Sequence, residues 1–185
     1  MKNTNEISTE QRAYFAGLLD GEGCIYIDKD ASSGYVSYSL EIRFSMTYYN
    51  ILYEMKNLFG GNINKKDMSK RSEETQTSKA IKIGFLNPNN WKQQYHYTLH
   101  SKEAWVFLKM VEPYCKEKKE QVNTGIEFFN GNRPGSGRKG RSKEQVERCE
   151  YYYKKLQELK HIKNNDDSDL KLNNNQTNFS LFSEV

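Results

Sequence analysis

Two acidic residues, Asp20 and Glu22, follow a run of small residues in the segment Tyr14–Gly23. Small side chains recur here at helical spacing, so a second helix could approach more closely than the usual roughly 8 to 10 Å between axes. If that second helix is a copy of the same segment, the contact is two-fold and both helix ends meet at the symmetry axis. The residues predicted at this interface are Ala13, Ala16, Gly17, Asp20 and Gly21.

Glu22 leaves the end of this predicted helix beside its partially negative carbonyl terminus, where a bound cation is favoured. Two such carboxylates, one from each copy, would form a hard, oxygen-rich site of the kind that Mg²⁺ prefers. A metal ion there would lower the pKa of bound water and neutralise charge on a phosphate. The residues predicted to hold the metal are Glu22 and Gly21, and the predicted chemistry is phosphodiester hydrolysis.

The chain around this segment has the pattern of an α+β fold. Ser8 and Gln11 have the spacing of a capping box, which predicts a helix from about residue 9 that stops at the glycines 21 and 23. Alternating apolar residues predict strands, and apolar residues at helical spacing predict helices. The predicted strands are 24–29, 35–49, 62–66, 80–85 and 94–99, and the predicted helices include 50–59, 102–113 and a helix through 122–129.

A basic linker and a last helix follow. Residues 130–142, NGNRPGSGRKGRS, combine Gly, Pro and four cations, and Ser142 is placed to cap a helix that runs to about Lys163. Beyond it the chain is rich in Asn and Asp without a sustained pattern, which predicts a disordered or loosely docked tail. The predicted division is a core at 1–130, the linker and helix at 131–163, and the tail at 164–185.

Composition narrows the class of protein. The formal net charge is +4, and four acids against one base lie beyond Asn164, so the body of the chain is more basic, as expected of a surface that binds a polyanion. Three widely spaced cysteines without a C-x-x-C pair predict an intracellular, reducing compartment with neither a disulfide framework nor a zinc site. The N-terminus has no apolar region typical of a targeting signal, and no apolar run is long enough to predict a membrane span.

The segment FAGLLDGEG, Phe15 to Gly23, resembles the LAGLIDADG signature of homing endonucleases position for position, with Glu22 where the family usually has its catalytic aspartate. The succession of predicted elements over about residues 8–130 also resembles the αββαββα unit of this family. The resemblance implies an α+β fold with a twisted antiparallel DNA-binding sheet, followed here by a C-terminal helix. It also implies a site-specific nuclease that uses Mg²⁺ to make double-strand breaks in DNA.

A single copy of the motif resembles the homodimeric branch of the family, in which two sheets form a saddle over a long, nearly palindromic target. The stretch Pro113–Gln121 resembles a family segment whose lysine lies near the scissile phosphate. By that match Lys118 is the second catalytic candidate, with Lys116 and Lys119 as alternatives. Tyr48 stands where the family often has a glutamine at the end of the second strand, and it is the third catalytic candidate.

Strand alternation predicts which side chains would contact DNA. If Ile25, Leu40 and Phe44 point to the core, their neighbours form the opposite face of the sheet, and polar residues there suit base edges in the major groove. Linker cations would add contacts to phosphates. The candidate DNA contacts are Tyr26, Asp28, Ser39, Glu41, Arg43, Ser45, Asn62, Asn64, Lys66, Lys82, Gln94, His96, Thr98, Arg133, Arg138, Lys139 and Arg141.

Other interpretations compete with some of these assignments. His96 and His100 would share a strand face but lie about 13 Å apart, too far to share a metal ion. The same fold also serves RNA-binding maturases that act on the intron encoding them, and DNA-binding proteins that do not cleave. An acid at position 22 favours cleavage, because carboxylates beside phosphates repel them and bring a pure binder no gain. The many Asn and Lys residues are typical of an A/T-rich chloroplast, mitochondrial, phage or viral genome.

Overall fold

A computed structural model of the protein describes residues 7–31, 36–66, 92–132 and 141–173, and of residues 161–173 it describes the backbone alone. Within these ranges the chain forms five helices and four strands. In chain order they are α1 (Thr9–Glu22), β1 (Gly23–Asp30), β2 (Ser37–Met46), α2 (Tyr49–Phe59), β3 (Asn62–Lys65), β4 (Tyr95–His100), α3 (Ser101–Val111), α4 (Lys119–Gly131) and α5 (Lys143–Asn173). The predicted α+β fold is confirmed.

The four strands form one antiparallel sheet in the order β1-β2-β4-β3. Gly23 pairs with Phe44, so the sheet begins directly where α1 ends. Arg43 pairs with Thr98, which in turn pairs with Asn62, and the register therefore aligns polar residues of three strands in one row. The strand predicted at 80–85 lies outside the described residues.

One face of the sheet is packed against helices. Alternate residues of β1 and β2, such as Ile25 and Ile42, are fully buried. Aromatic rings from α1, α2 and α3 meet here in edge-to-face contacts, with 5.6 Å between the ring centroids of Phe15 and Phe59 and 5.1 Å between those of Phe59 and Phe107. Such contacts stabilise by about 0.5 to 1.5 kcal/mol each beyond the area they bury. The core therefore fixes α1 on the sheet.

Local signals decide where the helices begin and end. The capping box at Ser8 and Gln11 is confirmed, since each side chain bonds the other residue's main-chain N–H. Ser142 and Gln145 form the same reciprocal pair at the start of α5. Gly60 and Gly61 both have positive φ, at 86° and 75°, which lets the chain turn sharply from α2 into β3. The last helix continues to Asn173, beyond the end near Lys163 that the sequence predicts.

The long C-terminal helix α5 packs on α4 and on the edge strand β1. Its Cys149 and Leu156 are buried, and Glu150 pairs with Lys29 of β1 at 2.8 Å. A helix in this place covers an edge strand that would otherwise offer unpaired main-chain groups to another chain. Cys24, Cys115 and Cys149 are all free thiols. No helix among the described residues has the length and apolar character needed to cross a membrane.

Candidate active site and polar sheet face

The two faces of α1 differ in what they contact. Phe15, Ala16 and Leu19 are fully buried in the core of their own chain. Gly17 and Gly21 lie on the opposite, exposed face, and a Cβ atom added at either glycine would meet nothing within 4 Å. Ala13 is exposed on that face as well. The prediction of Ala16 at the interface is therefore wrong, because its methyl group already packs inside one chain.

Glu22 is the last residue of α1, and its side chain is exposed. The next residue, Gly23, is the first of β1, and a Cβ atom added there would lie 2.5 Å from Leu19 Cδ1 and 2.9 Å from Phe44 Cε1. Only a glycine permits so close an approach of the helix end to the sheet. The main chain on which Glu22 stands is thus tightly packed, while its carboxylate faces outward.

Asp20 has a different environment from Glu22, although only one residue separates them. Its carboxylate accepts hydrogen bonds from the main-chain N–H groups of Lys116 at 2.9 Å, Glu117 at 3.3 Å and Lys118 at 3.0 Å. These bonds join the end of α1 to the loop between α3 and α4. Asp20 was predicted at the interface with a second chain, but its carboxylate is bound within its own.

Lys118 projects from the same loop toward the end of α1. Its ammonium donates to the carbonyl oxygens of Leu19 at 2.8 Å, Asp20 at 2.6 Å and Gly23 at 2.8 Å. A cation at the carbonyl end of a helix satisfies acceptors that have no partner inside the helix and favours the helix dipole. Lys119, by contrast, bonds Glu112 at 2.6 Å. The side chain of Lys116 is exposed.

Tyr48, the third catalytic candidate, immediately precedes α2, and 74% of it is exposed. The pairing of Gly23 with Phe44 places the last residues of β2 at the end of the sheet where α1 stops. Tyr48 therefore lies at the same end of the sheet as Glu22.

The oxygen atoms at the end of α1 suit a hard divalent cation. Glu22 offers an exposed carboxylate, and Gly21 offers a main-chain carbonyl on the exposed side of the helix. The carboxylate of Asp20 is already held by three N–H donors. Within the described part of one chain, no three metal-ligating side chains lie together.

The face of the sheet opposite the helices is polar. The residues predicted there occupy adjacent rows of the sheet, with Tyr26 paired to Glu41, Arg43 to Thr98 and Ser45 to His96. Several of these residues line an open groove together with their neighbours. The groove residues are Glu41, Arg43, Asn64, Lys65, Lys66, His96, Thr98 and His100. His100 and Lys65 were not predicted, although alternation along β4 places His100 on the same face as His96.

Within this groove Glu41 is buried rather than open to a ligand. One carboxylate oxygen accepts from Arg43 Nε at 3.0 Å and Nη2 at 2.6 Å, and the other lies 3.1 Å from His100 Nδ1. The Arg43 side chain remains 44% exposed. Glu41 was predicted as a DNA contact, but its carboxylate is bonded to Arg43 and His100. It orients the exposed guanidinium of Arg43.

The electrostatic balance of the groove is positive. Burial lowers the pKa of His96, and the charges of Lys66 and Arg43 lower it further, so its imidazole is neutral at pH 7. The hydrogen bonds from Arg43 to Glu41 raise the pKa of that guanidinium, which stays charged. A positive groove of this kind favours an anionic ligand.

Other candidate contacts lie apart from the groove. Arg141 donates to the carbonyl oxygen of Tyr38 at 2.9 Å and to Cys149 Sγ at 2.6 Å, so its guanidinium is bound between β2 and α5. This placement argues against the phosphate contact predicted for Arg141. Four further candidates lie outside the described residues, namely Lys82, Arg133, Arg138 and Lys139.

The family to which these features point is found by comparison. Residues 15–94 match the family model of the LAGLIDADG endonucleases, and this range includes the end of α1 and the strands β1 to β3. This match and the fold agree with the resemblance to the LAGLIDADG endonucleases that the signature predicts. No curated protein matches the chain.

Several solved homing endonucleases share the fold. I-CvuI, in complex with its target in the presence of Ca, is 13% identical with a TM-score of 0.60, covering 81% of this chain and 82% of its own. The archaeal intron-encoded I-Vdi141I, complexed with DNA, is 16% identical with a TM-score of 0.58, covering 81% and 84%. I-TnaI is 16% identical with a TM-score of 0.53, covering 81% and 93%. Such low identities establish the fold alone.

Proposed function

We propose that the protein is a site-specific DNA endonuclease that acts as a homodimer and hydrolyses phosphodiester bonds with a divalent metal ion, Mg²⁺, at a long, nearly palindromic site. The observation that carries the proposal is the exposed carboxylate of Glu22 at the end of a helix whose outward face is made of Ala13, Gly17 and Gly21. The match of residues 15–94 to the family model supports the same activity, because that family is one of endonucleases.

Dimerisation would complete the site. Because Gly17 and Gly21 have open space around them, the α1 helix of a second copy can approach this face closely. In a two-fold contact the same face serves both chains, and each helix brings its Glu22 to the axis. The two carboxylates would then lie near each other only in the dimer.

Glu22 and the carbonyl of Gly21 are the groups that would hold the metal ion. When bound, Mg²⁺ neutralises phosphate charge and makes water a stronger nucleophile. I-CvuI has been solved with DNA in the presence of Ca and of Mg, which supports a divalent cation in this fold. The main chain of Gly23, packed between Leu19 and Phe44, would keep the carboxylate in position while DNA binds.

Lys118 would act as a positioning residue. Its ammonium already bonds three carbonyls around the helix end, so its main contribution would be to hold the segment that carries Glu22. It would also place positive charge near an incoming phosphate. Tyr48, largely exposed at the same end of the sheet, has a phenol able to donate and accept hydrogen bonds to water near the reacting phosphate.

The polar face of the sheet would read the DNA. I-CvuI and I-Vdi141I were both solved with DNA, and the sheet of this chain presents exposed polar side chains in register on three strands. Arg43, oriented by Glu41, is suited to the acceptor edge of a guanine in the major groove. Thr98 would add a contact in the same row as Arg43, and Ser45 and Asn64 would add contacts in the next row.

Cleavage of a library of long duplex sites in the presence of Mg²⁺ tests the proposal. We expect a defined subset of sites to be cut on both strands, and we expect chelation of the metal to stop cutting. Glu22→Gln should abolish cutting without a change in melting temperature, because the side chain is exposed. Glu10→Gln is the matched control, since it makes the same change at the other, exposed end of α1. Undiminished cutting by the Glu22 variant would refute the proposal.

A further inference from the structure

The C-terminal helix α5 reaches the polar face of the sheet. Near its start it packs on the core side, where Glu150 accepts hydrogen bonds from Lys29 and Tyr38. Ten residues later, Lys160 lies beside Tyr26 of β1, with its Nζ atom 4.0 Å from the centroid of the ring. Tyr26 belongs to the polar face, because its neighbours Ile25 and Ile27 point into the core. The helix therefore passes the edge strand and reaches, at Lys160, the face proposed to bind DNA.

A second cation lies over the same aromatic ring. The guanidinium carbon of Arg43 lies 4.8 Å from the centroid of Tyr26. Arg43 forms an ion pair with Glu41. Lys160 forms no ion pair with a carboxylate among the residues whose side chains are described. Its polar partner is the thiol of Cys24. Two cations and one carboxylate thus surround one aromatic ring.

The carboxylates of this arrangement, Glu41 and Asp28, act on Arg43, and none acts on Lys160 among the described side chains. Burial lowers the pKa of Lys160; the thiol of Cys24 opposes this shift, and the nearby charge of Arg43 adds a smaller lowering effect. The ring of Tyr26 compensates in part, because cations are attracted to aromatic faces. An anion beside the amine would offset the cost of its burial and its repulsion by Arg43.

The position of these two cations relative to Glu22 indicates which anion would bind there. Arg43 is the strand partner of Cys24, which follows Glu22 by two residues, and the cluster therefore lies at the end of the sheet nearest to the proposed reaction site. We infer that Lys160, held over Tyr26, clamps one phosphate of the DNA backbone beside the base contact proposed for Arg43, making α5 part of the DNA interface. This inference rests on the proposed function, and it adds to the sheet a contact from outside the family's αββαββα unit.

Salt dependence of DNA binding tests the clamp without knowledge of the target, because phosphate contacts do not depend on sequence. The probe is a random-sequence 30-base-pair duplex, taken as about three turns of DNA, and it is added to the full-length Glu22→Gln protein in metal-free buffer. We expect Lys160→Gln to reduce the slope of log affinity against log salt concentration by about 0.9 for each chain bound. Lys160→Arg should keep the slope, because it retains the charge.

Lys143→Gln is the matched control. It removes the same charge from the same helix, but Lys143 is the first residue of α5, far from Lys160, and its side chain is 90% exposed. Its slope should equal that of the parent protein. In the unsubstituted protein, duplex DNA should also protect the Lys160 amine from acetylation and leave Lys143 reactive, a measurement that does not depend on how a variant folds.

The outcomes separate this inference from the proposed function. Equal slopes for Lys160→Gln and the parent, or equal acetylation of Lys160 with and without DNA, would overturn the clamp while DNA binding stands. A lower melting temperature with an unchanged slope would show that Lys160 only anchors α5, which also overturns it. Absence of any duplex binding by the parent protein would overturn both proposals.

Discussion

The inward and outward faces of α1 carry similar residue types with opposite roles. Each face has small residues and an acid near the helix end, but Ala16 is buried and the carboxylate of Asp20 is held by three N–H groups of its own chain. Gly17 and Glu22 face open space. Residue type therefore does not separate the group that holds the fold from the group left available for a partner. The contacts of each side chain do.

The largest contrast is expected between leucines placed on the two faces. Gly17→Leu should abolish the dimer, because backbone approach depends on the missing side chain, while the fold of each chain persists since leucine favours helix over glycine. Ala16→Leu should destabilise the fold by about 1 to 3 kcal/mol or more through overpacking. Sedimentation velocity and thermal melting measure the two effects. A dimer that persists in the Gly17→Leu variant would contradict the role assigned to the outward face of α1.

Lys118 and Lys116 provide the next contrast, as two lysines of one loop. Lys118→Met should lower the free energy of unfolding by about 2 to 3 kcal/mol, because a charged donor to three carbonyls is lost. Lys116→Met should change it by less than about 0.5 kcal/mol, since its side chain is exposed. Denaturant titration measures both. We also expect Lys118→Met to need more Mg²⁺ for half-maximal cutting, and Lys118→Arg to recover part of that loss. If Lys118→Met left the free energy of unfolding unchanged, the bonds from Lys118 to α1 would contribute nothing to stability.

Substitutions at Asp20 and Glu22 should also differ in their effect on stability, by a smaller amount. Asp20→Asn should cost about 1 to 2 kcal/mol of stability, because a neutral amide accepts from the main-chain N–H groups more weakly than a carboxylate. Glu22→Gln should stay within about 0.5 kcal/mol of the parent. Thermal melting at pH 7 checks both variants. Equal losses for the two would show that the bonds to the loop contribute nothing.

The smallest effect on stability is expected on the sheet. Glu41→Gln removes the charge that orients Arg43, but Arg43 is half exposed, so the loss should be only about 0 to 1 kcal/mol. The preference among cleaved sites should broaden at one position of each half-site, because the guanidinium is less well oriented. Sequencing of cleaved library members measures this, with Glu54→Gln on the exposed surface of α2 as the control. An unchanged preference would exclude Glu41 as a positioning residue.

Local patterns predicted much of the fold. The capping boxes at Ser8 and Ser142, the alternation in β1 and β2 and the helical spacing in α2 each appear in the structure as expected. These features depend on residues close in sequence, which is why spacing reveals them. The error at Ala16 has a local cause as well. A small side chain suits both a helix contact and a crowded core, and its spacing does not say which.

Long-range contacts set what the sequence could not predict. Lys118 bonds residues 95 to 99 positions earlier, and nothing in the run KEKKE distinguishes it from its neighbours. Alternation correctly placed Glu41 on the polar face, but the bonds from Arg43 and His100 that bury it depend on the pairing of β2 with β4. Lys160 was missed because it reaches Tyr26 only through the path of α5 across β1.

The junction between α1 and β1 has no loop, since Glu22 ends the helix and Gly23 starts the strand. An inserted residue at this point would shift the register by one and turn Ile25 and Ile27 to the polar face, with Tyr26 turned inward. The spacing along the chain between the acid and the residues proposed to read DNA is therefore invariant. Substitutions on the polar face keep this geometry, whereas a gain or loss of one residue at the junction would not.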